Sequence, residues 1–211
     1  MAFKDDVKRG FRVLFWPSKE SAAKMGVKDA LKLYYGVSLV PLLLFIVLGS
    51  ICLNLGLVSN RFGAVPLVLS LLPGVGLNVL LVAFAFAYFW VLIPVSLLID
   101  AALYHLVGKN FLKLFKGGYE RTFTALVFGF MPMLLLYWLF VIPGVNALAL
   151  IVLPVWGFVV DVIALSVQQK VTRLQAFAVI AVLLGLVALV MLLSASALAA
   201  FGAPLFSSWM V

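Results

Sequence analysis

The chain alternates between long apolar runs and short polar segments. After a polar stretch over residues 1–32, five apolar runs follow, and each reaches the length of about 20 residues that a helix needs to cross a bilayer. Because lipid offers no hydrogen-bond partner to the backbone, such runs fold as helices. We therefore predict an all-α membrane protein with five transmembrane helices. They lie at about 33–57, 77–107, 122–142, 146–167 and 174–200.

The segments between these runs add detail. The run over 64–73 is apolar but too short to cross, so we expect a short external or re-entrant helix there. The second span is longer than the hydrocarbon layer requires, and Pro94 is expected to kink it. Pro143 and Gly144 predict a tight turn that joins the third and fourth spans as an antiparallel hairpin.

The segment over 1–32 has a different pattern. Apolar residues recur at helical spacing over 3–15, with lysines and arginines interleaved. This pattern predicts an amphipathic helix in the membrane interface, with Trp16 at the headgroup level; a solvated arm is the alternative. Pro17 should end this helix and start a second one, over about 18–32, that runs into the first span. The segment does not resemble a cleavable signal peptide, so the first span should act as an uncleaved anchor.

Composition agrees with a membrane location. Hydrophobic residues make up 66% of the 211 residues and charged residues only 10%, whereas soluble domains are about half apolar. The part over 33–211 reads as one five-span domain, because it contains no polar stretch that could fold alone. Cys52 lies within an apolar run and is interpreted as a small buried hydrophobic residue.

The charge distribution predicts the orientation. Of the 15 lysines and arginines, all except Arg61 fall on one face of the predicted topology. Basic residues accumulate on the cytoplasmic side, so we expect a cytoplasmic N-terminus and a C-terminus outside, in the plasma membrane if the source is prokaryotic. The net charge of +8 is better explained by anionic lipid headgroups than by nucleic acid. The residues expected to contact headgroups are Lys4, Lys8, Arg9, Arg12, Lys109, Lys113, Lys116, Lys170 and Arg173.

The sequence contains no arrangement typical of an enzyme. It has one histidine, so a zinc site built on a histidine pair is excluded. It also lacks a phosphate-binding loop and a nucleophile elbow. We therefore predict a protein that is not an enzyme, with no catalytic residues, no cofactor and no assigned metal. The expected partners are the bilayer and its headgroups. A protein partner at the cytoplasmic face and a homo-oligomer are left open.

Two carboxylates within apolar runs, Asp100 and Asp161, need an explanation. A charge near the bilayer centre costs about 2.5–3.5 kcal/mol on insertion scales. One hypothesis is a shared polar site, with Tyr104, His105 or Glu120, that binds a cation or a proton. The alternative is that arginine, lysine or hydroxyl groups near the headgroups satisfy each carboxylate separately.

Several segments resemble the Yip (Ypt/Rab-interacting protein) family of membrane domains. They are the end of the second span over 97–106, the Gly-Gly segment over 117–123, the turn over 143–145, Val155-Trp156-Gly157, the polar turn and helix start over 168–176, and Trp16-Pro17-Ser18-Lys19-Glu20. The resemblance implies a compact prokaryotic-type member with five spans and a cytoplasmic N-terminus. It implies a role in membrane organisation or trafficking rather than catalysis. The chain lacks the long polar N-terminal region through which other members are linked to Rab-type GTPases.

Two functions therefore remain open. The first is a non-enzymatic membrane scaffold or adaptor of the Yip type, which predicts a tightly packed bundle with a basic cytoplasmic surface. The second is a small transporter or a cation- or proton-conducting protein, which predicts a cavity that reaches Asp100 and Asp161.

Overall fold

The computed structural model of the protein describes residues 3–22, 25–54 and 74–207. Within these ranges the chain is helical and has no strand, which confirms the predicted all-α class. Five helices are long and apolar enough to cross a membrane, as predicted from the apolar runs. They are Val27–Cys52, Asn78–Phe111, Tyr119–Val141, Val145–Gln169 and Arg173–Ser196. The expected short helix over 64–73 and Arg61 lie outside the described residues.

The helices follow one another with short connections. The α-helices are α1 (Phe3–Phe15), α2 (Pro17–Glu20), α3 (Val27–Asn54), α4 (Gly74–Ala87), α5 (Ile93–His105), α6 (Tyr119–Leu136), α7 (Val145–Gln169) and α8 (Arg173–Ser207). A π-helical turn (Tyr88–Leu92) joins α4 to α5, and a second one (Leu106–Phe111) extends α5. A 3-10 turn (Tyr137–Val141) extends α6.

Helix α6 is the centre of the bundle. It contacts α1, α3, α5 and α7, most extensively α7, and every residue over 122–129 is buried. The α6–α7 contact is close because a Cβ atom added to Gly157 would lie 3.5 Å from the carbonyl oxygen of Gly129, and small residues allow membrane helices to approach in this way. Helix α8 packs at the periphery, against α7 and α5.

The junction between α4 and α5 depends on two tyrosines of α3. The amide of Ile93 bonds to the carbonyl of Tyr88, five residues earlier, and Pro94 has no amide hydrogen to donate. These two changes remove the usual helical donors of the Phe89 and Trp90 carbonyls. The hydroxyl of Tyr34 donates to the Phe89 carbonyl at 2.6 Å, and that of Tyr35 donates to the Trp90 carbonyl at 3.2 Å. The kink expected at Pro94 therefore takes the form of a π-helical turn that α3 satisfies.

Specific backbone conformations end the later helices. Gly144 precedes α7 with a φ of 86°, a region that favours glycine, in the turn predicted from Pro143 and Gly144. Lys170 ends α7 in the left-handed conformation, with a φ of 55°. Thr172 and Gln175 then form a reciprocal capping box at the start of α8, with bonds of 3.0 and 3.2 Å.

The N-terminal segment is attached to the bundle. Helix α1 packs against α6 and α3, where Val13 is fully buried and a Cβ atom on Gly10 would lie 3.0 Å from the side chain of Val37. The second helix expected over 18–32 is divided instead, because α2 ends at Glu20 and the chain turns before α3 begins. Gly26, which has poor helix propensity, immediately precedes α3.

Candidate functional site: a carboxylate cavity between four helices

Asp100 and Asp161 lie on neighbouring helices, near the same end of the bundle. We call this end the basic end, because it carries Lys109, Lys113, Lys116, Lys170 and Arg173. Asp161 precedes the end of α7 at Gln169 by eight residues, or about 12 Å at 1.5 Å per residue. Asp100 precedes the end of α5 at His105 by five residues. Both carboxylates therefore lie at a depth that the hydrocarbon layer occupies in a spanning bundle.

The two carboxylates line one cavity of about 290 Å³. Asp100 and Tyr104 enter it from α5 and Asp161 from α7, while α6 contributes Gly129 and α8 contributes Leu183. The charges of the two aspartates are close enough to interact. The cavity thus brings together three of the five residues that the sequence analysis grouped.

Asp161 is held against α6 by the absence of a side chain at Gly129. A Cβ atom on Gly129 would overlap the carboxylate of Asp161. The Oδ1 atom of Asp161 is buried and has no hydrogen-bond partner among the described residues. The ion pairs in the described part of the chain join Arg9 and Arg12 to Glu20, so neither cavity carboxylate has a basic partner there.

This arrangement needs a positive charge from outside the described residues. A buried carboxylate without a partner pays a desolvation cost that pairing, protonation or a bound cation must offset. Two carboxylates and a phenol provide oxygen atoms, which suit a proton, a hard cation or an ammonium group. Among the described residues no three His, Cys, Asp or Glu side chains come together as a metal site.

His105 and Glu120 do not line the cavity. The Nδ1 atom of His105 lies 3.1 Å from the hydroxyl of Thr122, and Glu120 is exposed in the first turn of α6. The shared site proposed from the sequence is therefore reduced to Asp100, Tyr104 and Asp161. The cause is helical geometry, because α5 turns His105 toward the start of α6 and away from α7.

A second polar cluster at the basic end was not predicted. Gln169 is fully buried. Its Oε1 accepts from the Gly117 amide at 2.8 Å, while its Nε2 donates to Thr122 Oγ1 at 2.9 Å and to the Gly118 carbonyl at 3.3 Å. These bonds fasten the Gly-Gly loop to the end of α7. The loop glycines and the terminal glutamine were visible in the sequence, but nothing there indicated that they meet.

The residues expected to contact headgroups divide into two groups. Seven of them are exposed: Lys8, Arg12, Lys109, Lys113, Lys116, Lys170 and Arg173. Arg9 is placed differently. Its side chain is 13% exposed and pairs with Glu20 at 3.6 Å, and its guanidinium lies 5.4 Å from the ring centre of Phe128. The turn after Pro17 brings Glu20 back over α1, which draws Arg9 inward rather than toward headgroups. The side chain of Lys4 lies outside the described part.

Comparison of the chain with protein-family models, with curated proteins and with solved structures gives no match.

Proposed function

We propose that this protein is a small, non-enzymatic transporter or conducting protein that holds a cation or a proton at Asp100 and Asp161. The observation that carries the proposal is the buried Oδ1 atom of Asp161, which has no hydrogen-bond partner in the described part and belongs to a carboxylate that shares a cavity with Asp100. A carboxylate that served only packing would gain more from a neutral side chain at this depth.

The cavity suggests how the charge is held. With both carboxylates at one site, a single positive charge interacts with both of them, and Tyr104 offers a hydroxyl at the same end. Exchange of a proton for a cation keeps the site near neutrality, which lowers the cost of burying it. The described helices that line the cavity come from three consecutive parts of the chain, so a small shift of α8 against α6 could change access to it.

A flux measurement tests the proposal. The purified protein is reconstituted in liposomes that contain a pH-sensitive dye, and an inward gradient of Na⁺ or K⁺ is imposed. We expect dye-reported proton movement that Asp161→Asn and the double variant with Asp100→Asn abolish. Asp29→Asn is the matched control, because Asp29 is exposed in the first turn of α3 and far from the cavity along the chain. Wild-type flux in a folded double variant would refute the proposal.

We further propose the orientation that the charge distribution predicts. The basic end faces the cytoplasm together with the N-terminus, and the C-terminus lies outside, in the plasma membrane if the source is prokaryotic. The exposed basic residues clustered at one end of the bundle support this orientation. A C-terminal reporter that is active only outside the cytoplasm tests it, and activity of a cytoplasmic reporter at that terminus would exclude it.

A second candidate is the Yip-type scaffold or adaptor. The observation that favours it is an exposed row on α1 and its end, formed by Phe11, Phe15 and Trp16 beside exposed Lys8 and Arg12. Such a row suits the boundary between headgroups and acyl chains, and the fastened N-terminal segment would present it to a membrane surface or a protein partner. The Yip resemblance agrees with this role and remains a proposal.

The row can be tested with a fluorescent label. Phe15 is 71% exposed, so Phe15→Cys can carry an environment-sensitive dye in a Cys52→Ala background. The scaffold candidate predicts a blue-shifted emission in nanodiscs with anionic lipid compared with detergent. A dye at Lys19, exposed on α2, is the control. Equal, water-like emission from both positions would exclude an interfacial row.

A further inference from the structure

The cavity changes character along its length. Asp100, Tyr104 and Asp161 lie at the basic end. Pro154 lines the deeper part and lies seven residues before Asp161 on α7, which is about 10 Å at 1.5 Å per residue. Leu183 and Val187 line the same deeper part from α8. A ligand in this cavity would therefore place a polar group toward the basic end and an apolar group toward the bilayer centre.

The mouth of the cavity opens on the side of the bundle. Its floor is buried, since Leu126, Gly129 and Leu153 are covered by neighbouring helices. Its rim is exposed at Asp100 and Val187. At this depth of a spanning bundle, the space beside an exposed residue is occupied by lipid. A ligand can therefore reach the carboxylates from the membrane without crossing the packed core.

We propose that the cavity binds a lipophilic primary amine, with its ammonium group at Asp100, Asp161 and Tyr104 and its apolar tail along Pro154, Leu183 and Val187. This inference rests on the proposed function, because it assigns a ligand class to the same carboxylate site. A primary ammonium has three N–H donors, which match two carboxylates and one phenol oxygen. The volume of about 290 Å³ falls at the lower end of the range for small-molecule pockets.

The chemistry separates this ligand from close alternatives. An alcohol with the same tail would fill the apolar part but leave the carboxylates without a positive charge. A quaternary ammonium would bring the charge but no N–H donor, so it would lose the hydrogen bonds that are strengthened by charge. An inorganic cation would satisfy the carboxylates and leave the apolar part empty.

A binding experiment in nanodiscs tests the inference. The probe is radiolabelled octylammonium, and binding to nanodiscs without protein is subtracted. We expect saturable binding of one probe per chain, at least tenfold weaker for Asp161→Asn. Unlabelled octanol should not compete, and octyltrimethylammonium should compete at least tenfold more weakly than octylammonium. Competition by octanol equal to that of octylammonium would overturn the inference.

Two rim variants separate this inference from the function beneath it. Val187→Trp fills the apolar part of the cavity from an exposed position and should weaken octylammonium binding at least tenfold while leaving cation-driven proton flux unchanged. Val190→Trp, also exposed on α8 but outside the cavity lining, should change neither. Flux that depends on Asp161 without any saturable octylammonium binding would refute the ligand class and keep the proposed function. Loss of both in the wild type would refute both.

Discussion

The hydroxyl of Tyr34 offers a sharp test of how α3 supports the second span. This group is fully buried and donates to the Phe89 carbonyl at 2.6 Å, an acceptor that the π-helical turn and Pro94 leave without a helical donor. Tyr34→Phe keeps the ring and removes the donor. We expect it to lower the free energy of unfolding by about 1–2 kcal/mol, the cost of a buried acceptor left unsatisfied.

The control and the double variant make the prediction specific. Tyr35→Phe removes a longer bond, of 3.2 Å, from a side chain that is 38% exposed, so it should cost only about 0.5 kcal/mol. Pro94→Ala restores a backbone donor, so Tyr34→Phe should cost less in that background. Unfolding in mixed micelles with increasing SDS measures these differences. An equal cost of Tyr34→Phe with Pro94 and with Ala at that position would refute the reasoning.

Three further substitutions test other contacts, by the same unfolding measurement unless stated. Gly129→Ala should destabilise by about 1–3 kcal/mol through overlap with the Asp161 carboxylate, whereas Gly185→Ala meets nothing within 4 Å and should be neutral or slightly stabilising; equal effects would contradict the close approach. Gln169→Leu should cost about 2–3 kcal/mol, since it leaves the buried loop amide at the basic end unsatisfied, and an unchanged midpoint would show that the cluster is unimportant. Arg9→Met should loosen the N-terminal segment, seen as faster proteolysis after α1, and a wild-type cleavage rate would show that its ion pair does not fasten the segment.

The spans were predictable because their signal is local. A run of apolar residues long enough for a bilayer leaves one regular structure available, and charges between runs are counted without knowledge of contacts. The ends were less predictable. The first span begins at Val27 rather than near residue 33, since a helix can continue through Lys28 and Lys32 into the polar interface.

The contacts between spans could not be read from the sequence. Tyr34 and Phe89 are 55 positions apart, and Gln169 and Gly117 are 52 apart, so only the packing of α3, α6 and α7 brings them together. The pairing of Asp100 with Asp161 was open to reasoning because charges in apolar runs are rare. The exclusion of His105 and Glu120 depends on the rotation of α5 and α6, which apolar runs with weak periodicity do not reveal.

The positions of the basic residues have consequences for both candidate functions. Lys109, Lys113 and Lys116 are exposed at the end where the cavity carboxylates lie, and they would attract anions and anionic lipid to that surface. Arg9 is used inside the protein instead, to attach α1 to Glu20 and Phe128. The N-terminal segment is therefore part of the folded bundle and can report on changes at its basic end.

The central claim is that Asp100 and Asp161 form a site for a positive charge that is reached from the membrane. A lipid-soluble carbodiimide, which reacts with protonated carboxyl groups, tests it directly when the labelled residues are located by mass spectrometry. The account predicts label on Asp161 or Asp100, little on exposed Asp29, and protection by octylammonium or by an inorganic cation. Absence of label from both cavity carboxylates in the folded protein, or label that no cation reduces, would contradict it.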